Sequence, residues 1–183
     1  MKSSFGMILN QMKYTECLFL CETWLKPSEL GTIRNELNEH EYWSYLKWSV
    51  DPEVVLQGCP YGGVGFICRK LPGLSYRSIN CDNDRLCALQ ILSDHKVLLT
   101  VIGVYMPYVD GTTNQLKAYS ETLDDIQCII DTNDPSPIMF VGDMNGTKHV
   151  LLTNITFYCM ILCVIMNCTV VTLILHRVLN THI

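Results

Sequence analysis

The chain has 183 residues and a formal net charge of −5, with 49% hydrophobic and 17% charged residues. This length and composition suffice for one domain with a hydrophobic core and exclude a disordered polypeptide. The negative charge argues against tight, independent binding to nucleic acid, because phosphate backbones favour basic partners.

The ten cysteines form no Cys-x-x-Cys motif and no Cys/His cluster with the spacing of a zinc site. Four of them lie in apolar, strand-like stretches, where cysteine behaves as a small hydrophobic residue: Cys17, Cys21, Cys68 and Cys87. We expect reduced, structural thiols and an intracellular location, nuclear or cytoplasmic. Disulfides would require a secretory signal, and residues 1–13 contain no continuous apolar segment.

The first part of the chain predicts a helix at residues 5–13, a strand at 17–21 and a helix that opens at Pro27-Ser28. Ser28 is the expected N-cap of this second helix. Three apolar residues at helical spacing predict its buried stripe: Leu30, Ile33 and Leu37. Alternating aromatic and polar residues predict a further strand at 42–48.

The second part predicts a strand at 63–68, two paired strands at 86–92 and 97–104, and a strand at 138–141. The polar turn at 93–96 joins the pair. A helix is predicted at 113–130, with five residues on its core-facing side: Leu116, Tyr119, Leu123, Ile126 and Ile130. Strands and amphipathic helices in this order are typical of an α/β layered sandwich.

Residues 150–175 contain no charged residue, a length sufficient to cross a bilayer as one helix. Several Thr and Asn residues and many β-branched residues interrupt the segment and raise its insertion cost. We therefore predict a domain at 1–149 and an apolar tail at 150–183. The tail is either a transmembrane anchor or unrelated appended sequence without a selected role.

Two apolar, strand-like runs end on acidic residues. Residues 17–21 are followed by Glu22, and residues 138–141 are followed by Gly142-Asp143-Met144-Asn145. Two buried strands that each end on a carboxylate can assemble a divalent-metal site from distant parts of a chain.

Four motifs in this order resemble the endonuclease/exonuclease/phosphatase superfamily: Cys-Glu-Thr-Trp-Leu at 21–25, Gly-Gly-Val-Gly-Phe at 62–66, Gly-Val-Tyr-Met-Pro at 103–107 and Gly-Asp-Met-Asn at 142–145. Within it, the chain is most similar to the apurinic-type endonuclease domain of non-LTR (LINE-like) retrotransposons. The resemblance runs to His149 and is truncated at both ends. It implies a partial four-layer α/β sandwich of two packed mixed β-sheets flanked by helices, with the second sheet incomplete.

The resemblance implies hydrolytic nicking of DNA with Mg²⁺, or Mn²⁺ as an alternative. Glu22 would bind the metal, Asp143 would orient or deprotonate the attacking water, and Asn145 and Tyr105 would hold the phosphate. Each residue also has a structural alternative. Glu22 is otherwise a solvated residue at a strand end, Asp143 and Asn145 close a loop as an Asx-turn, and Tyr105 packs on its loop.

Other motif residues carry less of the resemblance. Ser93-Asp94-His95 matches a catalytic tripeptide of the family, but it precedes Gly-Asp-x-Asn here, so His95 is not assigned the catalytic role. Tyr108 stands where many relatives carry Asn. His149 either lines the cleft or is a solvated loop histidine. Gly62, Gly63 and Gly65 do not form a phosphate-binding loop, because no Lys-Ser/Thr follows them.

Three parts of the family's site have no candidate in the chain: an Asn on a strand ahead of the Glu22 strand, a later Asp and the terminal Ser-Asp-His. We therefore expect little or no activity, because residues of one catalytic unit act together. Two other functions remain open: a membrane-tethered, non-catalytic protein, and a phosphoinositide or sphingolipid phosphodiesterase of the same superfamily. Trp24-Leu25 and the motif spacing favour nucleic acid over lipid.

Overall fold

The computed structural model describes residues 2–23, 25–48, 62–107, 113–133, 135–145 and 170–173. Its elements in chain order are α1 (Lys2–Met12), β1 (Cys17–Cys21), α2 (Pro27–Glu39), β2 (Tyr42–Leu46), β3 (Val64–Arg69), β4 (Ser75–Ile79), β5 (Leu86–Ser93), β6 (Lys96–Tyr105), α3 (Thr113–Thr132), β7 (Ile138–Asp143) and β8 (Val170–Leu173).

The described strands form two sheets of four strands each. The first sheet has the order β2-β3-β1-β8 and the second has the order β4-β5-β6-β7. The first sheet is antiparallel throughout, so the prediction of two mixed sheets was wrong for it. The second sheet is mixed, because β6 and β7 run parallel while its other pairs are antiparallel.

The sheets pack face to face, and helices cover their outer faces. One core cluster lies between the sheets and includes Phe19, Phe66 and Val101. A second cluster joins the outer face of the second sheet to α3, and a third joins the outer face of the first sheet to α1 and α2. The predicted α/β sandwich is therefore confirmed.

Strand β1 is buried at all five positions because it is covered on both faces. Successive side chains of a strand point to opposite faces. Cys17, Phe19 and Cys21 accordingly pack between the sheets, whereas Leu18 and Leu20 pack in the cluster with α1 and α2. This explains why its sequence is a continuous apolar run rather than an alternating one.

Helix α2 confirms the helix predicted to open at Pro27-Ser28, but its N-cap lies two residues earlier than expected. Lys26 is the N-cap, Pro27 is the first helical residue, and the backbone N–H of Lys26 donates to Glu29 Oε2 at 3.0 Å. Ser28 as N-cap was therefore wrong, because proline is well suited to the first helical position and moves the cap ahead of itself. Leu30 and Leu37 are buried as predicted, and Ile33 packs against the same cluster.

Helix α3 confirms the predicted helix at 113–130 and extends to Thr132. Tyr119 and Ile126 are buried as predicted, but Leu116 is 49% exposed and the prediction for it was wrong. Ile129, which was not predicted, is buried instead. Periodicity identifies a helix face, but it does not show over what length a neighbouring sheet covers that face.

The predicted β5–β6 pair is confirmed as a hairpin with a two-residue turn. Asp94 and His95 both have positive φ, 48° and 67°, as a type I′ turn requires. Strand β4 was missed because only two of its five positions, Tyr76 and Ile79, are even partly buried. An edge strand with this pattern has no apolar periodicity.

Strand β8 belongs to the segment predicted as an apolar tail. It pairs antiparallel with β1, with Thr172 opposite Leu18 and Val171 opposite Phe19. Most of the segment at 150–175 lies outside the described residues, but residues 170–173 form a strand and not the end of a spanning helix. No described helix combines the length and apolarity needed to cross a bilayer.

The two sheets approach most closely where the Phe19 ring lies over glycines of β6 and β7. A Cβ added to Gly103 would overlap the Phe19 ring and lie 3.0 Å from Phe66 Cζ. A Cβ added to Gly142 would lie 3.0 Å from Phe19 Cε1 and would overlap the Val104 carbonyl. These two glycines therefore leave the space that the ring fills between the sheets.

We expect Gly103→Ala to lower the free energy of unfolding by about 1–3 kcal/mol, because the buried Phe19 ring cannot move without opening the core. Urea unfolding measures the change. Gly31→Ala is the control, since a Cβ there meets nothing within 4 Å. It should be neutral or stabilising by up to about 1 kcal/mol in helix α2. Equal stability of Gly103→Ala and wild type would show that the sheets do not pack in this way.

Candidate active site

Three strands of the two sheets end at one shared edge. Strands β6 and β7 run parallel, and their last residues, Tyr105 and Asp143, are register partners. Glu22 directly follows β1 in the other sheet, and the Tyr105 hydroxyl donates a hydrogen bond to Glu22 Oε1. The two sheets are thus joined at this edge by a phenol–carboxylate contact.

Glu22 is held in an unusual backbone conformation. Its φ is 53°, in the left-handed region, which costs a residue other than glycine about 1–3 kcal/mol. The backbone N–H of the next residue, Thr23, donates to the Gly63 carbonyl at 3.2 Å. The chain therefore turns sharply after β1, and this turn directs the Glu22 side chain toward the second sheet.

Asp143 and Asn145 form the loop that follows β7. The Asn145 N–H donates to Asp143 Oδ1 at 3.0 Å, which is an Asx-turn. Two hydrogen bonds connect this loop to Met106, directly after β6. The Met106 N–H donates to the Asp143 carbonyl at 2.8 Å, and Asn145 Nδ2 donates to the Met106 carbonyl at 2.9 Å. The structural alternative considered for Asp143 and Asn145 is therefore present, and it fixes the orientation of the Asp143 carboxylate.

The Tyr105 phenol lies in an acidic environment. Burial raises its pKa above the ordinary value of 10, and the hydrogen bond to Glu22 and the Glu22 charge raise it further. The Asp143 charge also raises the pKa, whereas the Arg85 charge lowers it. The phenol is consequently neutral at neutral pH and acts as a hydrogen-bond donor. Both carboxylates are close enough to act on this one hydroxyl.

Arg85 is a residue at this edge that the sequence patterns did not identify. Its guanidinium carbon lies 5.6 Å from the centre of the Tyr105 ring, within the range of a cation–π contact. The Tyr105 N–H also donates to the Arg85 carbonyl at 2.9 Å. The sequence offered one sign of its position. Arg85 stands directly before a strand that was predicted to pair with the strand leading to Tyr105.

Lys47, directly after β2, is a second cation that the patterns missed. Its ammonium donates to the carbonyls of Cys81 at 2.6 Å and Leu86 at 3.0 Å, and to that of Asn83. These bonds anchor the loop before β5, which carries Arg85, to the first sheet. Its positive charge is thus used within the protein, in contacts with three carbonyl oxygens.

Glu22 and Asp143 are the described residues suited to a metal ion here. Each has one carboxylate oxygen that accepts a hydrogen bond from a described residue. No group of three acidic, histidine or cysteine side chains in the described part of the chain could hold a metal ion. Two carboxylates fit Mg²⁺, which keeps several waters and binds substrate phosphate, and do not fit the four protein ligands of a structural zinc site.

The other residues singled out in the sequence lie elsewhere. His95 is in the turn before β6, at the opposite end from Tyr105, which places it about 30 Å away at the rise of a β-strand. Tyr108, His149 and Trp24 lie outside the described residues. Of the predicted site, the structure brings together Glu22, Tyr105, Asp143 and Asn145.

Comparisons with known proteins identify the fold. No protein-family model and no curated protein matches the chain. Among solved structures, it is similar to the 3′ phosphatase NExo from Neisseria bound to a product DNA hairpin, with a TM-score of 0.51 and 12% sequence identity. The match covers 76% of this chain and 52% of that chain, so this chain spans about half the length of its relative. At this identity the likeness shows the sandwich fold alone.

We expect Tyr105→Phe to reduce the loss of stability at alkaline pH. The folded-state pKa of Tyr105 lies above the unfolded value of about 10. The contribution of Tyr105 to the free energy of unfolding is therefore fully present below pH 10. It is lost as the pH rises from 10 toward the folded-state pKa. Urea unfolding at pH 8 and pH 10.5 measures the difference.

Tyr14→Phe is the control, because Tyr14 is 78% exposed. It should retain the alkaline loss of stability seen in wild type. A Tyr105→Phe protein that loses as much stability as wild type over this pH range would contradict the phenol–carboxylate contact.

Proposed function

We propose that the chain is part of a Mg²⁺-dependent phosphodiesterase domain of the endonuclease/exonuclease/phosphatase superfamily, of the retrotransposon endonuclease type. The contact of Tyr105 with Glu22, beside Asp143, carries this proposal. Two carboxylates and a neutral phenol, contributed by two sheets, fit the hydrolysis of a phosphate ester. The fold and the order of the four motifs support it as well.

Glu22 would hold the metal ion. A bound Mg²⁺ would neutralise the phosphate charge and stabilise the leaving oxygen. The left-handed backbone of Glu22 and its bond from Tyr105 place the carboxylate at the shared edge before any ligand arrives. Such preorganisation lowers the cost of assembling the site.

Tyr105 and Asn145 would hold the phosphate. The Tyr105 hydroxyl is a neutral donor. When a phosphate binds, the hydroxyl can donate to a phosphate oxygen instead of to Glu22. The Asn145 amide has two N–H donors, of which one is used by the Met106 carbonyl. The second N–H is the group assigned to the phosphate, while the first keeps the side chain in place.

Asp143 would orient the attacking water or accept its proton. The Asn145 N–H holds one oxygen of the Asp143 carboxylate, and this leaves the other oxygen for the water. Gly142 precedes it with a φ of 130°, a conformation that suits glycine, and packs against Phe19. The position of the carboxylate is thus set by the core.

DNA is the proposed substrate. The retrotransposon-like motifs point to nucleic acid, and the similar Neisseria protein was solved with a DNA hairpin. Arg85 contributes a positive charge beside Tyr105, in a chain whose net charge is −5. This local charge favours contact with a phosphate group at the edge where the carboxylates lie.

The chain itself is proposed to have little or no nicking activity. No Asp and no Ser-Asp-His follows Asp143 in its sequence. Removal of one member of a catalytic unit can cost nearly as much rate as removal of all members. We therefore expect the chain to bind the metal ion through Glu22 without hydrolysing DNA at a measurable rate.

We expect Glu22→Gln to weaken Mn²⁺ binding at least about tenfold, because the principal carboxylate ligand is lost. Calorimetric titration of the full chain with Mn²⁺ measures this. Asp94→Asn, in the exposed turn before β6, is the matched control, since asparagine also accepts its positive φ of 48°. Equal affinities of Glu22→Gln and wild type would exclude Glu22 as the metal ligand.

We expect the wild-type chain to convert supercoiled plasmid to nicked circles, with Mg²⁺, no faster than Asp143→Asn does. Gel electrophoresis of the plasmid over several hours measures the rates. Robust nicking that Asp143→Asn abolishes and Asp94→Asn retains would overturn the proposed inactivity and would support the role of Asp143. Robust nicking that survives in Asp143→Asn would contradict that role.

A further inference from the structure

Cys17 and Cys68 lie directly opposite each other on β1 and β3. Their Sγ atoms are 2.7 Å apart, and both residues are fully buried between the two sheets. This separation is closer to the S–S bond length of about 2.05 Å than to an ordinary contact between two thiols. The described cysteines form no disulfide, so the pair is present as two thiols.

The backbone at this position suits a disulfide. The Arg69 N–H donates to the Glu16 carbonyl at 2.7 Å, which makes residues 16 and 69 a hydrogen-bonded pair. Pairs alternate along an antiparallel ladder, so Cys17 and Cys68 form a non-hydrogen-bonded pair. The Cα atoms of such a pair lie about 4.5 Å apart, within the range of about 4.4–6.8 Å found in disulfides. The strands therefore need little movement to form the bond.

We propose that Cys17 and Cys68 are a redox modification site that forms a reversible cross-strand disulfide on reaction with hydrogen peroxide. One thiol loses its proton and the thiolate attacks a peroxide oxygen, so that an S–O bond forms and the O–O bond breaks. The departing hydroxide takes up that proton, which leaves a sulfenic acid and one water. The second thiol then attacks the sulfenic sulfur, the S–S bond forms, and a second water leaves. With hydrogen peroxide, two thiols are oxidised by two electrons and one peroxide is reduced to two waters.

The other buried cysteines do not share this geometry. Cys21 lies opposite Val64 on β3, and Cys87 is on β5 in the second sheet, opposite Gly103. Burial, and then the hydrogen bond with Cys17, raise the pKa of Cys68 well above its ordinary value. Because the thiolate is the reactive form, Cys68 is a poor attacking group.

The disulfide would fasten β1 to β3 at the end of β1 that lies away from Glu22. It would join residues 51 positions apart and enclose α2 and β2 in the loop. A cross-link over a loop of this length restricts the unfolded chain strongly. Oxidation should therefore stabilise the fold without changing the proposed metal site.

The test oxidises the folded, full-length chain with hydrogen peroxide, blocks remaining thiols with N-ethylmaleimide and maps the peptides without reduction. We expect a linked pair of peptides that contain Cys17 and Cys68. The melting temperature should rise by about 10 °C and return to its initial value with dithiothreitol. The proposal is overturned if Cys17 and Cys68 remain unlinked after oxidation, so that both react with N-ethylmaleimide once the oxidised protein is unfolded.

Two variants make the assignment specific. Cys68→Val should lose both the linked peptides and the thermal shift, whereas Cys87→Ala should keep both, because Cys87 lies in the same core cluster on the other sheet. A thermal shift that persists in Cys68→Val would assign the effect to another pair and overturn the proposal. If Cys68→Val does not fold, the peptide map of the wild-type chain still decides between the two outcomes.

Discussion

The structure depends on the packing of Phe19 against the backbone of β6 and β7. The ring fills the space that Gly103 and Gly142 leave, and it brings the two sheets together at that point. The same contact fixes the candidate site. Glu22 follows Phe19 by three residues, and Asp143 is next to Gly142. Core packing at this point therefore helps to set the relative position of the two carboxylates.

The shared edge concentrates negative charge around one neutral phenol. Tyr105 donates a hydrogen bond to Glu22 and lies near Asp143. The negative charges of both carboxylates favour the protonated phenol. Arg85, which lies over the Tyr105 ring, offsets part of this charge, while Lys47 is hydrogen-bonded to backbone carbonyls. An arrangement of this kind is suited to a hard cation with a phosphate ligand, which would complete the balance of charge.

Strand β1 combines several structural roles. It lies inside the first sheet between β3 and β8, and this position removes it from the edge of the sheet, where unpaired backbone groups invite association. It provides Phe19 to the core and Cys17 to the redox pair, and it ends on Glu22. Pairing with β8 means that part of the apolar tail contributes to the sheet that carries Glu22.

The sequence by itself determined the elements whose periodicity is local: the buried runs of β1 and β7, the β5–β6 hairpin and helices α2 and α3. Motif order also identified Glu22, Tyr105 and Asp143 as candidates for one site. Only the tertiary structure decided that Tyr105 contacts Glu22 beside Asp143, that Arg85 lies over the Tyr105 ring and that β8 pairs with β1. The physical reason is that strand periodicity and turn conformation depend on neighbouring residues. The contacts between the sheets depend instead on groups far apart in the chain.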